Sequence, residues 1–122
     1  MLVVDDDKDI RDSLAQILEE EGFEVSAAEN GQLALEAIGR SVPDVMLLDL
    51  MMPVMNGWQV LEALRSSLML PQIQVVVLSA LEAPGSVDFI EKPIKLPRLL
   101  ALLDLVRVRA AESVSMRAAV PH

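Results

Sequence analysis

Hydrophobic residues occur along this chain in two alternating patterns. Short runs that are apolar at nearly every position are typical of parallel strands covered on both faces. Longer stretches in which apolar residues recur every three or four positions are typical of helices with one buried face. The short runs, together with a more mixed stretch that ends before the turn pair Asn30-Gly31, predict five strands. These strands are residues 2–4, 23–28, 44–50, 73–80 and 87–93.

The stretches with helical spacing predict four helices. Their apolar positions are Ile10, Leu14, Ile17 and Leu18 in the first, Leu33, Leu35, Ala37 and Ile38 in the second, Val60, Leu61 and Leu64 in the third, and most of residues 96–108 in the last. Strands and helices that alternate in this way predict an α/β domain with a parallel sheet and helices on both faces. Residues 113–122 show no clear periodicity, so we expect a domain over residues 1–110 and a tail or linker over 111–122.

The connection between the fourth and fifth strands is short. If residues 87–91 form the fifth strand, residues 80–86 remain as the connection, and they include Pro84 and Gly85. Seven extended residues span at most about 25 Å, and a strand of five residues is about 17 Å long. The connection can therefore return along the sheet but cannot hold a packed helix with its loops. We expect the helix at this place, the fourth of a regular alternation, to be missing or reduced to one turn.

Composition narrows the possible functions. The 122 residues suit one domain, and 52% of them are hydrophobic, which argues against disorder. The absence of cysteine excludes disulfides and thiol chemistry. A net charge of −9 disfavours direct binding to nucleic acid. Apolar runs are too short to span a membrane and no signal peptide is visible, so we expect a cytoplasmic protein without membrane contact.

Polar residues lie at or directly after the carboxyl end of four of the five predicted strands. Parallel sheets bind ligands at the carboxyl ends of their strands, so these side chains are candidates for a site. They are Asp5, Asp6 and Asp7 directly after the first strand, Asp49 at the end of the third, Ser79 at the end of the fourth and Lys92 at the end of the fifth.

Four segments carry a resemblance to a known family. The segments VVDDD, LLDLMMPVMNG, VVLSA and FIEKPI occur in the order found in receiver domains of two-component response regulators. The resemblance covers residues 2–108. It implies a flavodoxin-like, doubly wound sheet with the strand order 2-1-3-4-5.

The resemblance also implies a magnesium site. In that strand order the first and third strands are neighbours, so Asp5, Asp6 and Asp49 converge. Three carboxylates at one point favour binding of a hard divalent cation. By position in the family, Asp6, Asp49 and the backbone carbonyl of Met51 would bind Mg²⁺ directly, and Asp5 would bind through a water molecule. Asp7 is expected to lie outside the site and to cap the following helix.

The chemistry implied by the resemblance is phosphoryl transfer to Asp49. The donor would be a phosphohistidine on a sensor histidine kinase or a phosphotransfer protein. Lys92 would place its ammonium on Asp49 or on the phosphoryl oxygens, and Ser79 would bond a phosphoryl oxygen after transfer. Phe89 stands at the aromatic switch position, although packing in the core is the simpler interpretation. Such a domain assists its own phosphorylation and dephosphorylation without being a turnover enzyme, and passes the signal to a downstream protein.

Two rival functions compete with the receiver. Phosphohydrolases that use an aspartyl phosphate have a second acid two residues after the nucleophile as general acid. Met51 stands at that position and cannot transfer protons, so a phosphohydrolase is disfavoured. A pseudo-receiver would act as an interaction module without phosphorylation. Because a short connection leaves the strip between the fourth and fifth strands poorly covered, we expect apolar surface there that docks a partner or a second copy of the chain.

Overall fold

The computed structural model describes residues 1–68, 73–79, 88–91 and 94–119, with side chains described over 1–68, 73–78 and 94–108. The strands are β1 (Leu2–Val4), β2 (Ser26–Ala28), β3 (Val45–Asp49), β4 (Gln74–Ser79) and β5 (Asp88–Glu91). The helices are α1 (Lys8–Glu20), α2 (Gly31–Arg40), α3 (Gly57–Ser66) and α4 (Leu96–Ala119). No helix in the described ranges is both long and apolar enough to cross a membrane.

The strands form one parallel sheet in the order β2-β1-β3-β4-β5, which confirms the predicted topology. In its register Val4 lies beside Leu48, and Asp49 lies beside Leu78. The carboxyl ends of β1 and β3 are therefore adjacent, as the strand order requires.

Successive residues of the central strands face opposite sides of the sheet, and both sides are buried. Val4, Met46 and Leu48 pack with α2 and α3 on one side. Val3 and Leu47 pack with α1 and α4 on the other side. This two-sided burial explains why β3 and β4 contain few polar residues.

Within the described residues, two element boundaries differ from the sequence prediction by more than one residue. β2 starts at Ser26 and not at Phe23, because its ladder pairs only with the three residues of β1. Phe23 instead packs, partly buried, against the core on the α1 and α4 side. α4 continues to Ala119, beyond the end at residue 108 that apolar periodicity predicts. Residues 109–119 include alanine, arginine, glutamate and methionine, which favour a helix without needing a buried face.

The short connection between β4 and β5 lies outside the described residues, and so does Lys92. The missing or reduced helix and the apolar strip beside it therefore stay predictions.

Candidate functional site

Asp5, Asp6 and Asp49 meet at the carboxyl edge of the sheet. One carboxylate oxygen from each lies within 4.8 Å of the others. Asp5 and Asp6 follow β1 directly, and Asp49 is the last residue of the neighbouring strand β3. The convergence predicted from the strand order is therefore present.

The three carboxylates differ in exposure. Asp5 is fully buried, Asp49 is 3% exposed, and Asp6 faces solvent. Carboxylates that lie close together and are shielded from water repel each other unless a cation lies between them. The donor atoms are hard carboxylate oxygens, and one of the three residues, Asp6, is exposed to water. Such a set suits Mg²⁺ with retained waters. The residues present therefore fit the ion that the family resemblance implies.

Asp5 is oriented by groups close to it in the chain. Its Oδ1 accepts a hydrogen bond from the backbone amide of Asp7 at 2.9 Å. Its carbonyl oxygen accepts a bond from Nη1 of Arg11 at 2.8 Å, one turn into α1. On the side of β2, its amide donates to the carbonyl of Ala28 at 3.2 Å. Asp5 is thereby held at both its backbone and its carboxylate.

Asp7 does not belong to the carboxylate cluster. Its Oδ1 accepts bonds from the amides of Asp9 at 2.9 Å and Ile10 at 3.2 Å, which makes it the N-cap of α1. The expected division of the acidic run is confirmed for this residue.

An exposed ion pair lies on α1 outside the cluster. Nζ of Lys8 donates to Oδ2 of Asp12 at 2.7 Å, and this bond raises the pKa of Lys8 and lowers the pKa of Asp12.

Asp49 is oriented by the loop that follows it, residues 50–56, which we call the Asp49 loop. The backbone amide of Met51 donates to Oδ1 of Asp49 at 3.1 Å. The Met51 side chain is 63% exposed, so it does not fill the core. Its position two residues past Asp49 is compatible with the ligand role expected for its carbonyl, which stays a prediction.

The two ends of the Asp49 loop are joined. The amide of Gly57 donates to the carbonyl of Leu50 at 3.1 Å. A Cβ atom at Gly57 would lie 2.5 Å from the carbonyl oxygen of Asp49, so this close approach requires glycine. Asn56 then caps α3 in a reciprocal pair of bonds with Gln59.

Inside the loop the backbone makes a tight turn. The Met55 amide bonds the Pro53 carbonyl at 2.7 Å, and Val54 between them has φ 68°. This left-handed conformation is costly for a β-branched residue.

The other residues expected in the site can be placed only in part. Ser79 ends β4 and pairs in register with Glu91, and Phe89 pairs with Val77. The side chains of Ser79 and Phe89 lie outside the described residues, as does the whole of Lys92. Their roles stay predictions.

Sequence reasoning missed Arg11 and Gly57. The signal for Arg11 is its place one turn into a helix whose first residues follow an acidic run. The signal for Gly57 is its place directly after a capping asparagine, where a helix begins beside the end of a strand.

Comparisons with known proteins agree with this geometry. The family model for the response regulator receiver domain matches residues 1–104. The response regulator MprA of Mycobacterium leprae is 36% identical over 130 aligned positions, covering 95% of this chain and 56% of the relative. This chain thus spans little more than half the length of the curated relatives it matches.

Solved structures show the same likeness. The receiver domain of the Francisella response regulator 1452 has a TM-score of 0.79 at 31% identity, covering 89% of this chain and 96% of that one. The receiver domain of NtrX from Brucella abortus has a TM-score of 0.74 at 37% identity, covering 91% of this chain and 97% of that one.

Proposed function

This chain belongs to the response regulator receiver domain family, and on that basis we propose that it is a signalling switch whose Asp49 accepts a phosphoryl group with the help of Mg²⁺. The observation that carries the proposal is the cluster of Asp5, Asp6 and Asp49, within 4.8 Å of one another at the edge of the sheet. Asp49 is the member that is buried at the end of a central strand and held by the loop after it.

In this proposal Asp6, Asp49 and the carbonyl of Met51 would hold Mg²⁺, and Asp5 would help through a water molecule. When bound, the ion neutralises negative charge on the transferred phosphoryl oxygens. The bond between Asp7 and Asp5 and the bond between Met51 and Asp49 keep two of the carboxylates oriented before any ligand arrives. Orientation of this kind lowers the entropic cost of the reaction.

Asp49 is the nucleophile of the proposed step. One of its carboxylate oxygens forms a bond to phosphorus as the bond between phosphorus and the donor's histidine nitrogen breaks, and that nitrogen keeps the electron pair. Lys92 would then neutralise a phosphoryl oxygen, and Ser79 would donate its hydroxyl hydrogen to another. Phe89 would follow that change by repacking. The domain assists these steps on itself and is not a turnover enzyme.

The donor partner is proposed to be a sensor histidine kinase or a phosphotransfer protein, and the receiving partner a downstream protein or a second copy of the chain. The net charge of −9 supports a protein partner over direct contact with nucleic acid. A cytoplasmic location belongs to the same proposal.

Phosphorylation can be tested by intact mass. The wild type, Asp49→Asn and Asp12→Asn are incubated with a small phosphodonor, with and without Mg²⁺. We expect one phosphoryl group on the wild type and on Asp12→Asn, only with Mg²⁺, and none on Asp49→Asn. Asp12 is the matched control because its carboxylate lies on the exposed side of α1.

A wild type that gains no phosphoryl group would favour the pseudo-receiver instead. Equal labelling of Asp49→Asn and the wild type would show that another residue is the phosphoacceptor.

A further inference from the structure

The amino end of α2 is pressed against the Asp49 loop. Gly31, the first residue of α2, donates its amide hydrogen to the carbonyl oxygen of Met55 at 3.0 Å. A Cβ atom at Gly31 would lie 2.5 Å from that oxygen, 2.6 Å from Cγ2 of Val60 and 2.8 Å from Cγ of Met55. Cβ contacts under 3.0 Å essentially never occur, so only glycine lets the helix approach the loop this closely.

The bond also satisfies the start of α2. The first amides of a helix have no partner within the helix. The Asn30 side chain accepts a hydrogen bond from the amide of Leu33 at 2.9 Å, and the Met55 carbonyl accepts one from the amide of Gly31. Helix and loop therefore stabilise each other at this contact.

A displacement at Met55 would not stay local. The loop is closed at its base by the bond between Gly57 and Leu50, and the tight turn at Pro53 couples Met55 to the residues before it. At its first residues the loop carries Met51, whose amide orients the Asp49 carboxylate. These bonds form a continuous path from Met55 to the amide that orients Asp49.

We propose that Gly31 is a positioning residue for this site: its contact with Met55 holds the Asp49 loop in the conformation that presents the Met51 carbonyl and the Asp49 carboxylate to Mg²⁺. Gly31 touches neither ion nor phosphoryl group and acts only through the loop. The inference rests on the proposed function, because it concerns the same metal and phosphoryl site.

The test compares Gly31→Ala with Gly39→Ala. Gly39 lies in the same helix, is exposed, and has nothing within 4 Å of an added Cβ. Mg²⁺ affinity is measured by titration calorimetry at temperatures well below each variant's unfolding midpoint. We expect Gly31→Ala to bind Mg²⁺ about tenfold more weakly or worse, as for other groups that orient metal ligands, and Gly39→Ala to bind like the wild type.

A second measurement does not depend on the ion. In metal-free protein, the amide resonance of Met51 should shift in Gly31→Ala and stay in place in Gly39→Ala. A stability defect alone, without movement of the loop, would leave both the Met51 resonance and the Mg²⁺ affinity unchanged.

The double variant Gly31→Ala with Val60→Ala distinguishes displacement of the loop from crowding in the core as the cause of weak Mg²⁺ binding. It removes Cγ2 of Val60, the side-chain atom nearest the new methyl group, but leaves the Met55 carbonyl oxygen in place. We expect the weak Mg²⁺ binding to persist. Full recovery of wild-type affinity would show that crowding in the core was the cause and would overturn the inference.

Hydrogen exchange on the wild type gives a measurement that needs no variant to fold. Adding Mg²⁺ should slow exchange of the Gly31 amide as the loop is fixed, and should leave the Gly39 amide unchanged. An unchanged Gly31 rate while the Met51 amide slows would contradict the inference. A wild type that binds no Mg²⁺ would refute the proposed function, whereas equal behaviour of the two glycine variants would refute only the role of Gly31.

Discussion

The acidic site has two halves that are held in place by different means. The β1 half, Asp5 and Asp6, is held at Asp5 mainly by polar groups that are near in the chain, such as the amide of Asp7 and the guanidinium of Arg11. The β3 half, Asp49 and its loop, is held by close backbone contacts at Gly57 and, from another helix, at Gly31. Polar bonds can be weakened one at a time, whereas a close contact fails as soon as a side chain is inserted. The β3 half should therefore be the less tolerant of substitution.

The largest effect is expected for Gly57→Ala. The new methyl group would meet the Asp49 carbonyl oxygen at 2.5 Å and Cα of Leu50 at 2.8 Å, both of which are backbone atoms. We expect the free energy of unfolding to fall by about 3 kcal/mol, the upper range for overpacking. Urea unfolding measures it, with Gly39→Ala as the control. That control should gain up to about 1 kcal/mol from helix propensity. Equal results for the two variants would remove close packing as the feature that holds the β3 half.

A smaller loss is expected for Arg11→Gln in the β1 half. The shorter amide cannot reach the Asp5 carbonyl, so a partly buried bond from a charged donor is lost. We expect a decrease of about 1.5 kcal/mol in the free energy of unfolding, also measured in urea. Lys8→Gln, which removes only an exposed pair with Asp12, should change stability much less. A loss of stability for Arg11→Gln as large as the loss for Gly57→Ala would contradict the expected difference in tolerance between the two halves.

The smallest effect, and one of opposite sign, is expected for Val54→Gly. Glycine relieves the left-handed backbone at φ 68°, and Val54 is 76% exposed, so little burial is lost. Relief of strain exceeds the added entropy of the unfolded chain, and we expect a gain of about 1 kcal/mol. Leu68→Gly is the matched comparison, with φ 60° and 79% exposure, two residues after the end of α3. Because leucine is not β-branched, it should gain less. Destabilisation by Val54→Gly would show that the turn is held by valine and not strained by it.

A structural feature could be predicted from the sequence when the interactions that produce it lie within a few residues of one another. β3 and β4 are predictable because burial on both faces leaves few polar positions in them. The helix cap at Asp7 is predictable because it depends on residues only two and three positions away. The predicted start of β2 was wrong because an edge strand can pair only as far as its partner extends, and the partner here is the three-residue strand β1.

The acidic cluster lies between these cases. The order of strands brings Asp5, Asp6 and Asp49 together, and the sequence pattern was enough to expect it. It was not enough to say which carboxylates are buried. Asp5 and Asp6 are neighbours in the chain, yet Asp5 is fully buried and Asp6 faces solvent. The difference arises because consecutive residues leave the end of a strand on opposite sides, and only the packing around β1 decides which side is covered.

The sequence by itself determined the sheet, its helices and the edge at which the acidic residues gather, because hydrophobic periodicity and capping act over a few residues. Only the tertiary structure decided that Gly31 and Gly57 press against the Asp49 loop. The pair Asn30-Gly31 is typical of a turn when only its neighbours in the chain are considered. A Cβ atom at Gly31 would meet Met55 and Val60 first, and both lie more than twenty residues away. Steric limits between such distant segments exist only once the chain has folded.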